Sequence, residues 1–391
     1  MIRQYFKLLW KKRKQNAFLI LQFMLVFWVI FAAFSYGIVK FKSYQTPLGF
    51  EWKDVYRIND PFDLMSGDSV TLKNNLFTLK KELEAFPEVS AASYSRFIAP
   101  YLGSMSMNGG ANEEEGITFQ THFMAADEDY ARVWDLKIKS GRFFNREDVA
   151  GKYLPMVVNE KFVRDFMKGK PPVGFHCKYM GRDAQIVGVV ENFKYDGDFS
   201  DEPAFTFVPL KKWDESYLLN FKVTRGTGPD VQKKVSDLVE RVAGNSDFEI
   251  VKVEEQRTFR NNLTLIPLGI LGFLAFFLII NIILGMFGIL RYNIARRIPE
   301  IGLRKAVGAS SGAIRQQFTG EMMVLTFIAF LLAFVFAVQV PFITPLPIDK
   351  EAYFTGIGAG ALLIFGLVYI CTLGPSQQAA ATLPAKALHE E

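Results

Sequence analysis

Four stretches of this chain, residues 17–39, 264–290, 319–340 and 353–373, are apolar over about 20 residues or more. An α-helix rises about 1.5 Å per residue, so each is long enough to cross a hydrocarbon layer about 30 Å thick. Inside such a layer no water is at hand, and every backbone N–H and C=O must find its partner within the chain. Stretches of this kind therefore fold as helices that span a membrane. The first follows a basic N-terminus and includes Ala32, Ala33 and Ser35, which suits a signal-peptide cleavage site. Its apolar run exceeds the roughly 7–15 residues of a signal core, and it reads as an uncleaved first span.

Charge assigns the sides. Residues 1–16 carry Arg3, Lys7, Lys11, Lys12, Arg13 and Lys14 and no acid. The loop 291–318 carries six basic residues against Glu300 alone. Between the first two spans, residues 40–263 carry 31 basic and 34 acidic residues. The net charge of +5 thus sits in two short segments beside apolar runs. That is the positive-inside pattern and excludes a nucleic-acid-binding face as its explanation. The N-terminus (1–16), the loop 291–318 and the tail 374–391 are read as cytoplasmic. Residues 40–263 and the short Pro-containing turn 341–352 are read as lying outside. The two cysteines, Cys177 and Cys371, then fall in different compartments, which argues against an intrachain disulfide.

The segment 40–263 is polar enough and long enough for a globular domain. Strand-like residues 54–59, a helical stretch 70–86 and strand-like residues 89–96 make one β-α-β unit. Residues 217–224, 229–243 and 248–253 repeat the pattern. An insert at about 99–183 separates them; it opens on a loop rich in Gly, Ser, Met and Asn and carries the acidic run 113–115. A buried strand follows at 184–191. The expected fold is an α-helical membrane protein with four transmembrane helices and a large α+β extracytoplasmic domain built of two β-α-β units plus an inserted subdomain.

Residues 296–309 lie between the second and third spans. Pro299 suits the first turn of a helix, Glu300 and Arg304 are spaced to pair along one face, and Gly308 suits the left-handed position after its end. Ser310 or Ser311 can cap the next helix. Glu321, near the start of the third span, complements the helix dipole. In the second span Asn281 suits a hydrogen bond to a neighbouring helix, and in the fourth Gly356 and Gly360 permit close helix packing.

Arg297, Glu300, Ile301, Gly302, Lys305, Ala306, Gly308 and Ala309 resemble the signature loop of the permease family that includes the MacB-type exporters, the lipoprotein-releasing permeases and the division protein FtsX. Residues 155–190 and the Gly141-Arg142-x-Phe144 motif resemble that family's MacB-type extracytoplasmic domain. Residues 374–388 resemble the family's ending, with Lys386 as its one basic residue. The resemblance implies that residues 297–309, Arg304 included, form a coupling helix that docks on an ABC ATPase subunit. It also implies a second permease subunit, identical or not, in a bacterial inner membrane, and allows an outer-membrane or periplasmic adaptor. ATP and Mg would be bound by the ATPase and no cofactor by this chain.

The sequence has no Gly-x-x-x-x-Gly-Lys-[Ser/Thr] phosphate loop and no His-Glu-x-x-His pair. No catalytic residue and no metal ligand set is expected. The leading expectation is the permease subunit of an ATP-driven exporter or extractor of peptides, lipoproteins or drug-like molecules. The alternative is an FtsX-like regulatory subunit that moves an extracytoplasmic partner, such as a cell-wall hydrolase, and transports nothing.

Overall fold

The structure, a computed structural model, describes residues 13–59, 69–210, 217–226, 230–244, 248–343 and 349–381. Residues 1–12, Pro229, Pro345, Pro347 and the tail from Leu383 to Leu388 lie outside the described residues. The chain divides into two compact units. One is Ser43–Thr264; the other comprises the described residues up to Lys42 and from Leu265 onward.

Helix α1 (Arg13–Gln45) is followed by β1 (Val55–Asn59), α2 (Ser69–Glu84) and β2 (Val89–Arg96). On α2, Leu76, Leu79 and Leu83 recur at helical spacing and are wholly buried. A long central stretch then supplies β3 (Met107–Asn112), β4 (Ile117–Ala126), α3 (Tyr130–Val133), β5 (Ile138–Gly141), α4 (Arg146–Ala150), β6 (Leu154–Asn159), α5 (Glu160–Phe166), β7 (His176–Tyr179), β8 (Arg182–Val190) and β9 (Phe205–Pro209). The unit closes with β10 (Leu218–Val223), α6 (Asp230–Ala243) and β11 (Ile250–Lys252).

Both expected β-α-β units are present, and they interleave. The strand order runs β11-β1-β10-β2, so each unit holds a strand of the other between its own two. β10 is antiparallel to both β1 and β2, and β1 is antiparallel to β11. The buried leucines of α2 and the buried Val231, Val235, Leu238 and Val239 of α6 cover this sheet as one core.

The insert is larger than the 99–183 read from the sequence. Beyond β2 the sheet continues through β4, β3, β7, β8, β6 and β9, and β9 returns to pair with β4. The closing pair is parallel, from His122↔Phe205 to Ala126↔Pro209. Six strands therefore form a closed ring that ends at Pro209, with no free edge left among them. The Gly/Ser/Met/Asn-rich stretch read as a loop supplies strand β3. A Cβ on Gly110 would lie 2.5 Å from the Phe119 ring and 2.7 Å from the Lys178 carbonyl. Only glycine lets β3 fit between β4 and β7 at that point.

The remaining helices are α7 (Val253–Ala295), α8 (Ile298–Ala306), α9 (Ser311–Ile343) and α10 (Lys350–Ala381). Residues 17–45 of α1 and the whole of α7, α9 and α10 are long and apolar enough to cross a membrane. All four outrun the apolar stretches read from the sequence. α7 begins at Val253, directly after β11, and runs through Pro267. Phe23, Phe27 and Phe31 of α1, Met322 and Leu325 of α9, and Ile357 and Ile364 of α10 share the core of the membrane unit.

Candidate functional site

Helix α8 is short, and its ends are built by local chemistry. Pro299 stands in its first turn, Glu300 lies near its N-terminus, and Arg304 and Lys305 lie in its last turn, each complementing the helix dipole. At the C-terminus the Gly308 N–H donates to the Lys305 carbonyl at 3.0 Å and the Ala309 N–H to the Arg304 carbonyl at 2.9 Å. Gly308 has φ +97°. This is the Schellman arrangement, which stops the helix and turns the chain. Ser310 then caps α9 by accepting from the Ala313 N–H at 3.2 Å.

One face of α8 is anchored within the chain. Arg297, just before the helix, donates to both Glu321 oxygens at 2.8 and 3.1 Å. The two side chains are 13% and 14% exposed. Gln317 donates to Glu321 at 3.3 Å and accepts from Arg304 at 2.6 Å, and Arg304 also donates to Glu300 at 2.5 Å. A continuous chain of polar contacts thus runs from Glu300 to Arg297 through two turns of α9. Lys305 donates to the Ala380 carbonyl, and Ser311 donates to the same oxygen at 3.1 Å. Ala380 belongs to α10, so one carbonyl ties both α8 and the start of α9 to that helix.

Two sequence readings change here. Glu321 lies ten residues into α9, beyond the first turn where a helix dipole acts, and its buried partner is Arg297. Ile301 and Gly302, expected among the ATPase-contacting residues, are buried inside this chain, as i and i+1 on the face turned to the bundle. Leu303 and Val307 were missed; they are 60% and 82% exposed. With Glu300 and Ala306, also exposed, they form the bare face of α8. Their signal was the i, i+4 spacing of two apolar residues.

In the membrane unit, Asn281 donates to the Phe277 carbonyl at 2.9 Å, one turn back in its own helix, and is exposed. The expected bond to a neighbouring helix is replaced by a local one to a carbonyl of its own helix. Gly356 and Gly360 face α1. A Cβ on Gly356 would lie 2.1 Å from the Ser35 Oγ, and one on Gly360 would lie 3.5 Å from the Phe31 Cα.

At the base of the other unit, a second set of contacts went unread. Lys194, 1% exposed, donates to the carbonyls of Ser43, Thr46 and Asp198. Arg257 pairs with Asp198, and Arg260 donates to Asp196 at 2.9 and 2.5 Å. Asp198 also accepts from the Tyr101 hydroxyl at 3.1 Å. The last turn of α1 and the first turns of α7 are thereby clamped to the loop 194–198. No group of His, Cys, Asp or Glu suited to a metal ion occurs among the described residues.

A family model described as the MacB-like periplasmic core domain matches residues 27–241, and one described as the FtsX-like permease C-terminal matches residues 272–380. The uncharacterized ABC transporter permease YknZ of Bacillus subtilis is 27% identical over 233 residues, covering 58% of this chain and 57% of its own. The macrolide export ATP-binding/permease protein MacB of Neisseria meningitidis is 24% identical over 306 residues, covering 73% of this chain and 46% of its own. The chain spans about half the length of these curated relatives. Among solved structures, the periplasmic region of MacB from Actinobacillus actinomycetemcomitans aligns with 56% of this chain and 98% of its own, at 15% identity and a TM-score of 0.38.

Proposed function

The chain belongs to the family of ABC transporter permeases that join a MacB-like periplasmic core domain to an FtsX-like permease domain, and on that premise we propose that it is a membrane subunit driven by a separate ATPase. ATP and Mg bind the ATPase. This chain contributes a docking helix, α8, and two helices, α1 and α7, that continue into the outer unit. A second permease subunit completes the assembly in a bacterial inner membrane, and the cargo is a peptide, a lipoprotein or a drug-like molecule.

The observation that carries this reading is the two-sidedness of α8. A nine-residue helix is too short to persist alone in water. Arg297, Ile301, Gly302 and Lys305 hold its inner face, and the polar chain through Gln317 ties it to α9. Its outer face carries two exposed apolar side chains, Leu303 and Val307, beside Glu300, and no described residue covers them. Such a face is suited to a cleft on another protein. ATP-driven closure of a pair of ATPases then moves α8, and α9 and α10 move with it. The ATPase must bind the two states of the membrane unit with different free energy for this to transmit work. Lys194, Arg257 and Arg260 make the ends of α1 and α7 rigid parts of the outer unit.

The test is paired. Val307→Asp and Glu300→Lys are introduced separately into a tagged chain, and membrane abundance and the ABC ATPase recovered with the chain are both measured. Normal abundance with at least tenfold less ATPase is expected for each. Undiminished recovery of the ATPase with both variants would sink the docking assignment. Purified chain alone is expected to hydrolyse no ATP above background.

A further inference from the structure

Two methionines and a histidine are brought together where strand β3 begins. Met105 and Met107 are separated by Ser106, and both are exposed, at 71% and 44%. Met107 pairs with His122 of β4 across the antiparallel ladder. The Phe123 N–H donates to the Ser106 carbonyl at 3.0 Å, one residue outside that pair on each strand. Met107 and His122 are therefore a non-hydrogen-bonded pair, the class in which facing Cα atoms approach to about 4.5 Å and side chains lie closer together. Both stand on the face opposite Phe119 and Phe123, which are buried in the main core. Met105, two residues before Met107 in sequence, returns to the same face of an extended chain.

The segment that carries the methionines is pinned at both ends. At its start the Tyr101 N–H donates to the Tyr195 carbonyl at 2.6 Å, and at its end β3 joins the ladder. The same tyrosine fixes His122: its hydroxyl lies 3.0 Å from the His122 Nδ1, and the ring centroids are 5.7 Å apart. Burial pushes the Tyr195 hydroxyl up to about 12, so it stays protonated. Burial also lowers the His122 pKa, and Asp196 opposes this only in part. The imidazole is thus neutral at pH 7, with Nδ1 held by Tyr195 and Nε2 bonded to no described residue. Asp196 is itself taken by Arg260, at 2.9 and 2.5 Å.

We infer that Met105, Met107 and His122 form a binding site for a soft monovalent metal ion, Cu(I) or Ag(I), held by two thioether sulfurs and the His122 Nε2. Thioethers select Cu(I), whereas Mg, Ca and Mn take oxygen ligands. The thiolates and carboxylates that complete zinc sites are missing from this set. The His122 Nδ1–H then donates to the Tyr195 hydroxyl oxygen, which orients the ring and leaves Nε2 its lone pair. Methionine has three rotatable bonds and a polarizable sulfur, so an exposed side chain can turn in to the ion. The site adjoins the Asp196–Arg260 contact at the start of α7. Its residues all belong to the outer unit and its occupancy needs no ATPase, so it stands or falls separately from the docking reading.

The experiment uses the full-length chain in lipid nanodiscs without ATPase, its methionine methyl groups labelled with carbon-13. Cys177→Ala and Cys371→Ala are included so that thiols take no metal. The probe is silver nitrate in chloride-free buffer, read by methyl NMR. The Met105 and Met107 methyls, assigned from Met105→Leu and Met107→Leu, are expected to shift together and to saturate at one equivalent of Ag(I). The methyl of Met180, also partly exposed, should not move. Leucine keeps the apolar volume, and each of these two variants should weaken Ag(I) at the remaining methyl at least tenfold. His122→Gln should do the same at both methyls, and Tyr195→Phe should weaken binding about tenfold. Zn(II) should leave both methyls in place. Circular dichroism melting establishes that each variant is folded. Movement of one methyl without the other, indifference to His122→Gln or Tyr195→Phe, no saturation up to millimolar silver, or an equal response to Zn(II) would each overturn the proposal.

Discussion

Replacing Glu321 with glutamine tests whether α8 is held by a buried charge pair. The carboxylate accepts two hydrogen bonds from Arg297 at 2.8 and 3.1 Å, and both side chains are about seven-eighths buried. Removing one partner of a fully buried pair costs about 3–5 kcal/mol, because the other charge is left unpaired. An exposed pair contributes about 0–1 kcal/mol. Glutamine still offers an oxygen to the guanidinium, and water reaches part of this site, so the expected loss is about 2 kcal/mol. At 1.36 kcal/mol per factor of ten, that opens α8 about thirtyfold more often. Amide hydrogen exchange in detergent or nanodiscs reads such local opening directly. Peptides covering residues 298–306 should exchange about thirtyfold faster in the variant, and peptides of the outer unit should not change. The double variant Arg297→Gln with Glu321→Gln leaves no lone charge, so it should exchange more slowly than the product of the two single effects requires. Exchange within threefold of the parent, or strict additivity in the double variant, would refute the reasoning.

Gly356→Leu should lower the melting temperature or the membrane abundance, since overpacking typically costs about 1–3 kcal/mol and its Cβ would sit 2.1 Å from Ser35. Gly358→Leu, with no atom within 4 Å of its Cβ, is the matched control and should have no such effect. Burial pushes the Cys177 thiol up to about 11. Maleimide should therefore label it at pH 7.5 at least about tenfold more slowly in the folded chain than after unfolding, since only the thiolate reacts; equal rates would contradict its burial. A cysteine at Val307 should resist an impermeant maleimide in spheroplasts until they are permeabilised, while one at Lys168 is labelled at once. The reverse pattern would invert the topology.

The four membrane helices were legible because a span is a local property: about 20 apolar residues in a row leave the backbone no other way to pair in lipid. The ends of α8 were legible for the same reason. Pro299, the Glu300–Arg304 spacing and Gly308 act on neighbours within five residues, and each sits in the conformation its chemistry prefers. The two β-α-β units were visible as repeated short-range patterns, but their interleaving was not. Antiparallel β10 lies between β1 and β2 through pairings that link Val55 to Lys222, and no local pattern encodes a partner so distant. The closed ring depends likewise on β4 meeting β9, and on a glycine whose need for close approach shows only when Phe119 and Lys178 are beside it. Which face of α8 is bare was also a tertiary matter. Ile298, Ile301, Leu303 and Val307 distribute apolar surface around a helix of two and a half turns. Only the placement of α9 and of Ala380 buries Ile301 and Gly302 and leaves Leu303 and Val307 in the open. Sequence determines such a helix through near neighbours; its orientation is decided by contacts with residues brought close by the rest of the fold.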